Sequence, residues 1–515
     1  MQTVSRALSL LPLSICLPLV QCTMVPKVED KPVTKSLSPP KSGVLAETAR
    51  RLENTRDEEQ SSLLLLDEAK EALEWRLALV DSAKSSIDIQ LYLWHDGASG
   101  KLLLDRVLRA ADRGVRVRIL VDDFLFNGNE PFVSSICRYH PNIDIRIFNP
   151  TSFRGNPLGS SMEFLLNFAH LNRRMHNKTW TADQSFSIVG GRNVGDHYYG
   201  LDEHYNFLDL DVLVSGPPVR EVAKGFDLFW NSAQAYPGAL LSKRAKREIL
   251  EERRARLLAY LDQEKDGMLR SFPTRPKDWS REFARLPHTM AKGKAVFIQD
   301  HPDREQDNRQ LVTSLGTAVG KQSRELILVS PYFIPGKGML ESMEQAVKEG
   351  KDVHVLAPSL AANNQPAAHG HYKKKRKPTL RTGAKLYELR SQPDKSVRMM
   401  ADVSPVRSKI VAMHTKAIVG DRTRCFIGSM NLDPRAIKIN TESGMLIDSP
   451  ELTADLFSML QKIRRSESVW EVTLDERNKL RWSENGVNFQ DEPPAPWMKK
   501  VTSRIVGWLP LESQL

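Results

Sequence analysis

Two short stretches of this sequence carry the same set of reactive side chains. The first reads His176-Asn177-Lys178, then Asp183, then Gly190-Gly191-Arg192-Asn193. The second reads His414-Thr415-Lys416, then Asp421, then Gly428-Ser429-Met430-Asn431. Both fit HxKxxxxD, and in each the first glycine follows the histidine by 14 residues. An imidazole can attack the phosphorus of a phosphodiester and form a phosphoramidate, which splits one hard displacement into two easier ones. The leaving alkoxide then needs a proton, which a second imidazole can supply. Charge on the equatorial oxygens needs fixed cations and amide donors, here Lys178, Lys416, Asn193 and Asn431. One copy has a single imidazole, so the duplication itself makes chemical sense. No metal or other cofactor is called for, because the remaining histidines show no HExxH-like spacing.

These motifs need strands and turns to present them. Met175–Thr179 and Met413–Val419 have strand character, which would place each histidine and lysine pair on one face. Thr181–Gln184 and Val419–Arg422 are turn-like, and Phe186–Val189 and Cys425–Ile427 return as second strands. Upstream, Ile87–Trp94, a helical stretch over Gly100–Arg113, Gly114 and Val115–Asp122 read as a βαβ unit. Leu326–Ile334, Met339–Lys348, Gly350 and Val353–Ala357 repeat it. His176 follows Gly114 by 62 residues, and His414 follows Gly350 by 64. A repeat of this kind implies one folding unit used twice.

The rest of the chain bounds the setting. Of 515 residues, 41% are apolar and 27% charged, which excludes collagen-like, coiled-coil and wholly disordered chains. Seventy-four basic residues against 63 acidic ones give +11, a balance suited to anionic partners. Four cysteines without CxxC give no zinc site or disulfide framework. Residues 1–22 read as an export signal, with an apolar run from Ala7 to Val20 too short for a comfortable bilayer crossing. Leu19-Val20-Gln21-Cys22 is similar to a bacterial lipoprotein box, with Gln21 where a small residue is usual, so lipidation at Cys22 is one expectation. An uncleaved anchor and an ordinary signal peptide are the others. Residues 23–60 read as a flexible tether, 61–235 as a first half and 236–300 as a charged, partly helical connector. Residues 301–465 read as a second half and 466–515 as a C-terminal extension.

With both motifs in view, the sequence resembles the phospholipase D superfamily over roughly Leu63 to Asp448, and within it the bacterial cardiolipin synthases. Asn172-Arg173-Arg174-Met175-His176, Gly428-Ser429-Met430-Asn431-Leu432-Asp433-Pro434-Arg435, Asn440-Thr441-Glu442, Ser359–Asn364 and Leu386–Leu389 carry the resemblance. It implies an α/β fold of two pseudo-twofold-related αβα sandwich halves with central mixed sheets and the catalytic pair at their interface. It implies a metal-independent phosphatidyltransferase with His176 as nucleophile and His414 as acid, then base. The motif set His176, Lys178, Asp183, His414, Lys416 and Asp421 carries over, with Asp183 and Asp421 read as structural members. Asn193, Ser429 and Asn431 are expected to bind phosphate. Asp211 and Glu442 are candidates to orient a histidine, since an imidazole held by a carboxylate keeps one tautomer. Gly191 lacks the hydroxyl of Ser429, which removes one expected phosphate hydrogen bond.

Partners follow the same reading: phospholipids and a membrane surface, with no nucleic acid, no accessory protein named by the sequence, and a monomer. Lys373, Lys374 and Lys375 open a basic block that suits anionic headgroups, nucleic acid or a solvated face. In the terminal segment Trp497, Val501, Ile505 and Trp508 share a helical stripe, with Lys499, Lys500 and Arg504 off it. Such a helix suits the headgroup layer, or docks its stripe on the protein's own core. Tyr92, Trp94 and Tyr332 line either a substrate pocket or the core. The expected location is the bacterial cell envelope, membrane-associated and facing the periplasm. A hydrolase releasing phosphatidic acid, a nuclease and a non-catalytic lipid-binding protein are the competing readings.

Overall fold

The computed structural model describes residues 28, 31–123, 129–151, 171–303, 305–306, 309–315, 324–465, 467–484, 486–509 and 512. The leader and Cys22 lie outside these residues.

The first half runs α1 (Val44–Glu53), β1 (Ser61–Leu66), α2 (Ala69–Ser82), β2 (Ser86–Leu91), α3 (Ala98–Asp112), β3 (Arg116–Asp122), α4 (Glu130–Tyr139) and β4 (Ile143–Phe148). It continues with β5 (Thr179–Ala182), β6 (Phe186–Gly190), β7 (Tyr205–Leu208), β8 (Asp211–Ser215), α5 (Pro217–Trp230) and β9 (Ala235–Pro237). Its strands pair in the order β1-β8-β6-β5-β2-β3-β4-β9. The central β2, β3 and β4 are parallel, as the βαβ reading requires. Strand β2 is buried along its whole length because helices cover both faces.

Helices α6 (Arg247–Glu264) and α7 (Ser280–Thr289) follow. The second half then runs β10 (Ala291–Gln299), α8 (Gln310–Leu315), β11 (Glu325–Val329), α9 (Lys337–Lys348), β12 (Asp352–Pro358), α10 (Pro366–Arg381) and β13 (Lys385–Leu389). After α11 (Lys395–Ala401) come β14 (Ile410–Met413), β15 (Ala417–Gly420), β16 (Arg424–Gly428), α12 (Pro434–Lys438), β17 (Ser443–Asp448) and α13 (Pro450–Ile463). The chain ends with β18 (Val469–Leu474), β19 (Leu480–Glu484), β20 (Val487–Phe489) and α14 (Trp497–Trp508). The strand order is β10-β17-β16-β15-β11-β12-β13-β18, the first half's order repeated, with β19 and β20 added at the edge.

Two pairings knit the halves together. Strands β1 and β10 run antiparallel, with Leu63 opposite Ala291. Strands β7 and β14 form a separate parallel pair, with Leu208 opposite Met413. The apolar core between the halves draws on both sheets and on α5 and α13, including Val189, Val212, Val222, Ile427, Met445 and Leu456.

Two expectations about organisation need correction. The second sheet begins at Ala291, inside the stretch expected as connector. Much of the expected tether is packed rather than free. Leu45 and Leu52 of α1 are buried. Further upstream, the buried Arg118 donates to Thr34 O (3.2 Å) and Ser36 Oγ (3.0 Å), and Trp230 Nε1 donates to Thr34 Oγ1 (2.9 Å). A buried guanidinium needs acceptors, and this polar segment supplies them.

Candidate active site at the junction of the halves

Each HxK tripeptide lies between strands rather than within one. His176-Asn177-Lys178 precedes β5, and His414-Thr415-Lys416 links β14 to β15. The backbone of each histidine is fixed by the other half: His176 N donates to Thr441 O (2.9 Å), and His414 N donates to Leu208 O (2.8 Å).

The side chains are crossed in the same way. His176 Nδ1 lies 2.8 Å from Glu442 Oε2. His414 Nδ1 lies 2.5 Å from Asp209 Oδ2. Tyr92 packs edge-on against His176 at 5.1 Å, while Tyr198 and Phe207 pack on His414 at 5.3 and 4.7 Å. Both imidazoles are buried. Lys178 Nζ donates to His176 O at 2.6 Å, and Lys416 Nζ lies 2.9 Å from His414 Nδ1. Each histidine feels the lysines of both motifs, so the two sites share one electrostatic cleft.

Burial, then the flanking lysines, hold both imidazoles neutral: His176 falls well below the usual histidine range, and His414 drops to about 3. Burial also lowers Lys178 to about 7 and Lys416 to about 8. The two carboxyls diverge. Burial pushes Glu442 up to about 8. Burial acts on Asp209 in the same sense, but His414 and Lys416 outweigh it and hold that carboxylate below its ordinary value.

Glu442 stands where it was expected, and Asp211 does not. Asp211 accepts from Arg76 (2.9 Å) and Arg192 (3.3 Å) and touches neither histidine. Its place is taken by Asp209. The register explains the shift. Gly191 N donates to Leu210 O as Ser429 N donates to Ser443 O, so Asp209 is the counterpart of Glu442. Aligning the apolar run Val212–Val214 with Met445–Ile447 in the sequence exposes the same match.

The other motif residues divide by role. Asp183 and Asp421 each sit in a turn. Asp183 and Gln184 have φ of +51° and +52°, and Asp421 and Arg422 have +51° and +58°. The Asp183 carboxylate accepts from the backbone of Lys84, Ser85 and Ser86, and Asp421 from Arg324 and Glu325. Each thereby ties its hairpin to the start of the central strand. The Asn193 amide is committed to Leu93 N (3.1 Å) and Tyr198 Oη (2.9 Å). The Ser429 hydroxyl donates to Glu442. The one hydroxyl proton of Ser429 is thus directed at Glu442, while Asn193 uses one of its two N–H groups on Tyr198. Asn431 is buried with an unpartnered amide oxygen. Gly191 has a steric reason: a Cβ there would meet Asp209 Oδ1 at 2.2 Å.

A mostly apolar cavity of about 150 Å³ lies between β3, β4, α3, α4 and α6, and neither histidine lines it. Ile119, Val121, Phe132, Ile145 and Leu257 line it together with Trp94, and Lys101, Arg253 and Arg256 also border it. Trp94 follows Tyr92 by two residues and stacks on Trp180 of β5.

The family described as cardiolipin synthase, PLD-like domain, matches residues 77–230 and 317–464, one match per half. The chain belongs to that family. It is 32% identical over 465 residues to cardiolipin synthase C of Escherichia coli, covering 88% of this chain and 96% of that protein. It is 21% identical over 399 residues to a cardiolipin synthase of Clostridium perfringens, covering 77% and 68%. Among solved structures, phosphatidylserine synthase of Haemophilus influenzae superposes with a TM-score of 0.58 at 16% identity, over 91% of this chain and all of that one. That likeness fits the two-halved fold expected from the sequence.

The expected membrane contacts fall into two groups. Trp497, Lys500 and Trp508 are exposed on α14, and Lys374 is exposed on α10. Lys373 pairs with Glu492 at 2.6 Å, Lys375 with Glu512 at 2.5 Å, and Lys499 turns inward. Among the described residues, no helix is long and apolar enough to cross a membrane.

Proposed function

We propose that the chain is a phosphatidyltransferase that forms cardiolipin, with phosphatidylglycerol as the acceptor. The observation that carries this is the crossed pair of imidazoles, each bonded through Nδ1 to a carboxylate of the opposite half. That bond leaves Nε2 as the reacting nitrogen. His176 Nε2 attacks the phosphorus of a glycerophospholipid, and the P–O bond to the departing alcohol breaks. His414 gives that alcohol its proton. The acceptor hydroxyl then yields its proton to His414 and attacks phosphorus, and the P–N bond to His176 breaks. Lys178 and Lys416 neutralise the phosphoryl oxygens.

The asymmetry of the carboxylates supports this division of labour. Ionised Asp209 favours imidazolium on His414, which suits the acid. A bound phosphodiester adds negative charge between the lysines and favours it further. The apolar leader and Cys22 support a place in the cell envelope, at a bilayer surface on the periplasmic side.

Purified protein added to phosphatidylglycerol vesicles is expected to yield cardiolipin and glycerol, read by mass spectrometry. His176→Ala and His414→Ala should each lower the rate by about 10³-fold or more. Phosphatidic acid as the sole product would replace the transferase with a hydrolase.

A further inference from the structure

Helix α14 is docked the opposite way round from an ordinary surface helix. Lys499, Ser503 and Gly507 recur every four residues and face the protein. Ser503 and Gly507 are buried against Gly370 of α10, where a Cβ on Gly370 would meet Ser503 O at 2.3 Å and Gly507 N at 2.9 Å. The two backbones touch because both helices carry glycine at the crossing. His371 Nε2 adds a contact to Val506 O at 3.1 Å.

The apolar side therefore points outward. Trp497, Met498, Val501, Ile505 and Trp508 are 72%, 63%, 46%, 60% and 86% exposed. At 100° per residue they fall on one face, flanked by the exposed Lys500 and Arg504. A globular helix buries such a stripe; this one spends small residues on docking and leaves the stripe to another phase. Two tryptophans at the ends of the stripe and cations along its flank match the headgroup layer of an anionic bilayer.

Lys499 connects this helix to the catalytic cleft. Its Nζ donates to Ala361 O (2.9 Å) and Asn363 O (2.7 Å). The same loop receives Met413 N at Ala362 O (3.2 Å), one residue before His414. Its Asn364 accepts from Tyr332 Oη at 2.9 Å. Two hydrogen bonds thus span from the helix to β14, which ends one residue before the second histidine.

We propose that the outward face of α14 seats the enzyme on an anionic phospholipid surface, and that Lys499 is a positioning residue holding the 359–364 loop, and through it His414, to the seated helix. This deepens the phosphatidyltransferase reading and rests on it for the catalytic arm alone.

The test uses the full chain in two arms. In the first, sedimentation with phosphatidylglycerol vesicles compares wild type with Trp497→Ser/Trp508→Ser. Binding should fall about tenfold or more with cooperative thermal unfolding retained, since two large apolar side chains no longer enter the lipid. Wild-type binding by that variant overturns the seating surface, whatever the enzyme's activity. In the second, Lys499→Met and Lys499→Arg are assayed on dispersed short-chain phosphatidylglycerol. Lys499→Met should lower kcat by about tenfold with KM little changed, as expected for two lost charge-assisted hydrogen bonds, and Lys499→Arg should restore part of it. Equal kcat in wild type and Lys499→Met overturns the positioning role. Vesicle binding without turnover by wild type sinks the enzymatic reading and leaves the surface standing.

Discussion

At the first site a glutamate, Glu442, reaches His176 with the Ser429 hydroxyl bound to its carboxyl. At the second an aspartate, Asp209, reaches His414 with a bare Gly191 backbone beneath it. Glutamate with serine and aspartate with glycine are two fillings of one space. The longer acid leaves room for a hydroxyl that steadies it. The shorter acid lies so close to the backbone that no side chain fits below. The electrostatic result differs as well: Glu442 is driven toward its neutral form by burial, while Asp209 is kept charged by His414 and Lys416. Because each acid comes from the opposite half, neither half holds a complete site. The duplication is chemically joined at the histidines and not merely packed side by side.

The most damaging way to probe this crossing is Asp209→Asn. An amide in the place of the acid that fixes an imidazole costs on the order of 10²–10⁴ in kcat where a similar dyad is broken. Glu442→Gln should also lower kcat, by less, since that acid is the less ionised of the two. Asp211→Asn should act on stability instead, because it breaks a buried ion pair with Arg76. Steady-state kinetics beside thermal unfolding distinguish the three. Wild-type kcat in Asp209→Asn would break the crossed arrangement.

A finer probe exchanges the fillings. Gly191→Ser drives a Cβ to within 2.2 Å of Asp209 Oδ1 and must displace the acid or the strand. Overpacking of this kind costs about 1–3 kcal/mol of stability, and kcat should fall with it. Ser429→Gly removes one hydroxyl from Glu442 and should cost about 1 kcal/mol. Pairing Gly191→Ser with Asp209→Glu recreates the first site's filling and should recover part of the kcat lost in Gly191→Ser alone. Equal effects of the two single substitutions would show that the asymmetry has no mechanical weight.

The repeat and both motifs are legible in the sequence because their signals are local: β-branched runs, a glycine after each helix and fixed spacing from histidine to glycine. The choice between Asp209 and Asp211 is not local. The two residues are two apart, so an alternating pattern puts both on one side, and only the pairing register with β6 separates them. The segment around Thr34 looks like a free linker because it is polar, yet its Thr34 carbonyl and Ser36 hydroxyl join Asp88 and Asp227 in accepting from the buried Arg118. For α14 the stripe is legible and its orientation is not. Hydrophobicity points to the wrong docking face, since the contact rests on Ser503, Gly507 and Gly370, which a pattern of apolar residues does not mark.

The last expected effect concerns pH and the two neutral imidazoles. In the unfolded chain each titrates near 6.5. In the folded chain His414 is lowered to about 3, and His176 also lies well below its ordinary value. Between these limits the unfolded state binds more protons than the folded one, so stability rises with pH. The contribution is whole above pH 6.5 and is lost as pH falls toward the folded value. One such group gives a slope of about 1.4 kcal/mol per pH unit within that window. Glu442, raised to about 8, acts with the opposite sign in this window, so the readout is the difference between chains: from pH 7 to pH 5 the urea midpoint of wild type should lose more than that of His414→Gln, by one group's share. The same slope in both chains would mean that His414 binds its proton readily when folded. The second imidazole would then rest as imidazolium beside Asp209, and the contrast between the two carboxylates would be one of charge on the histidines instead.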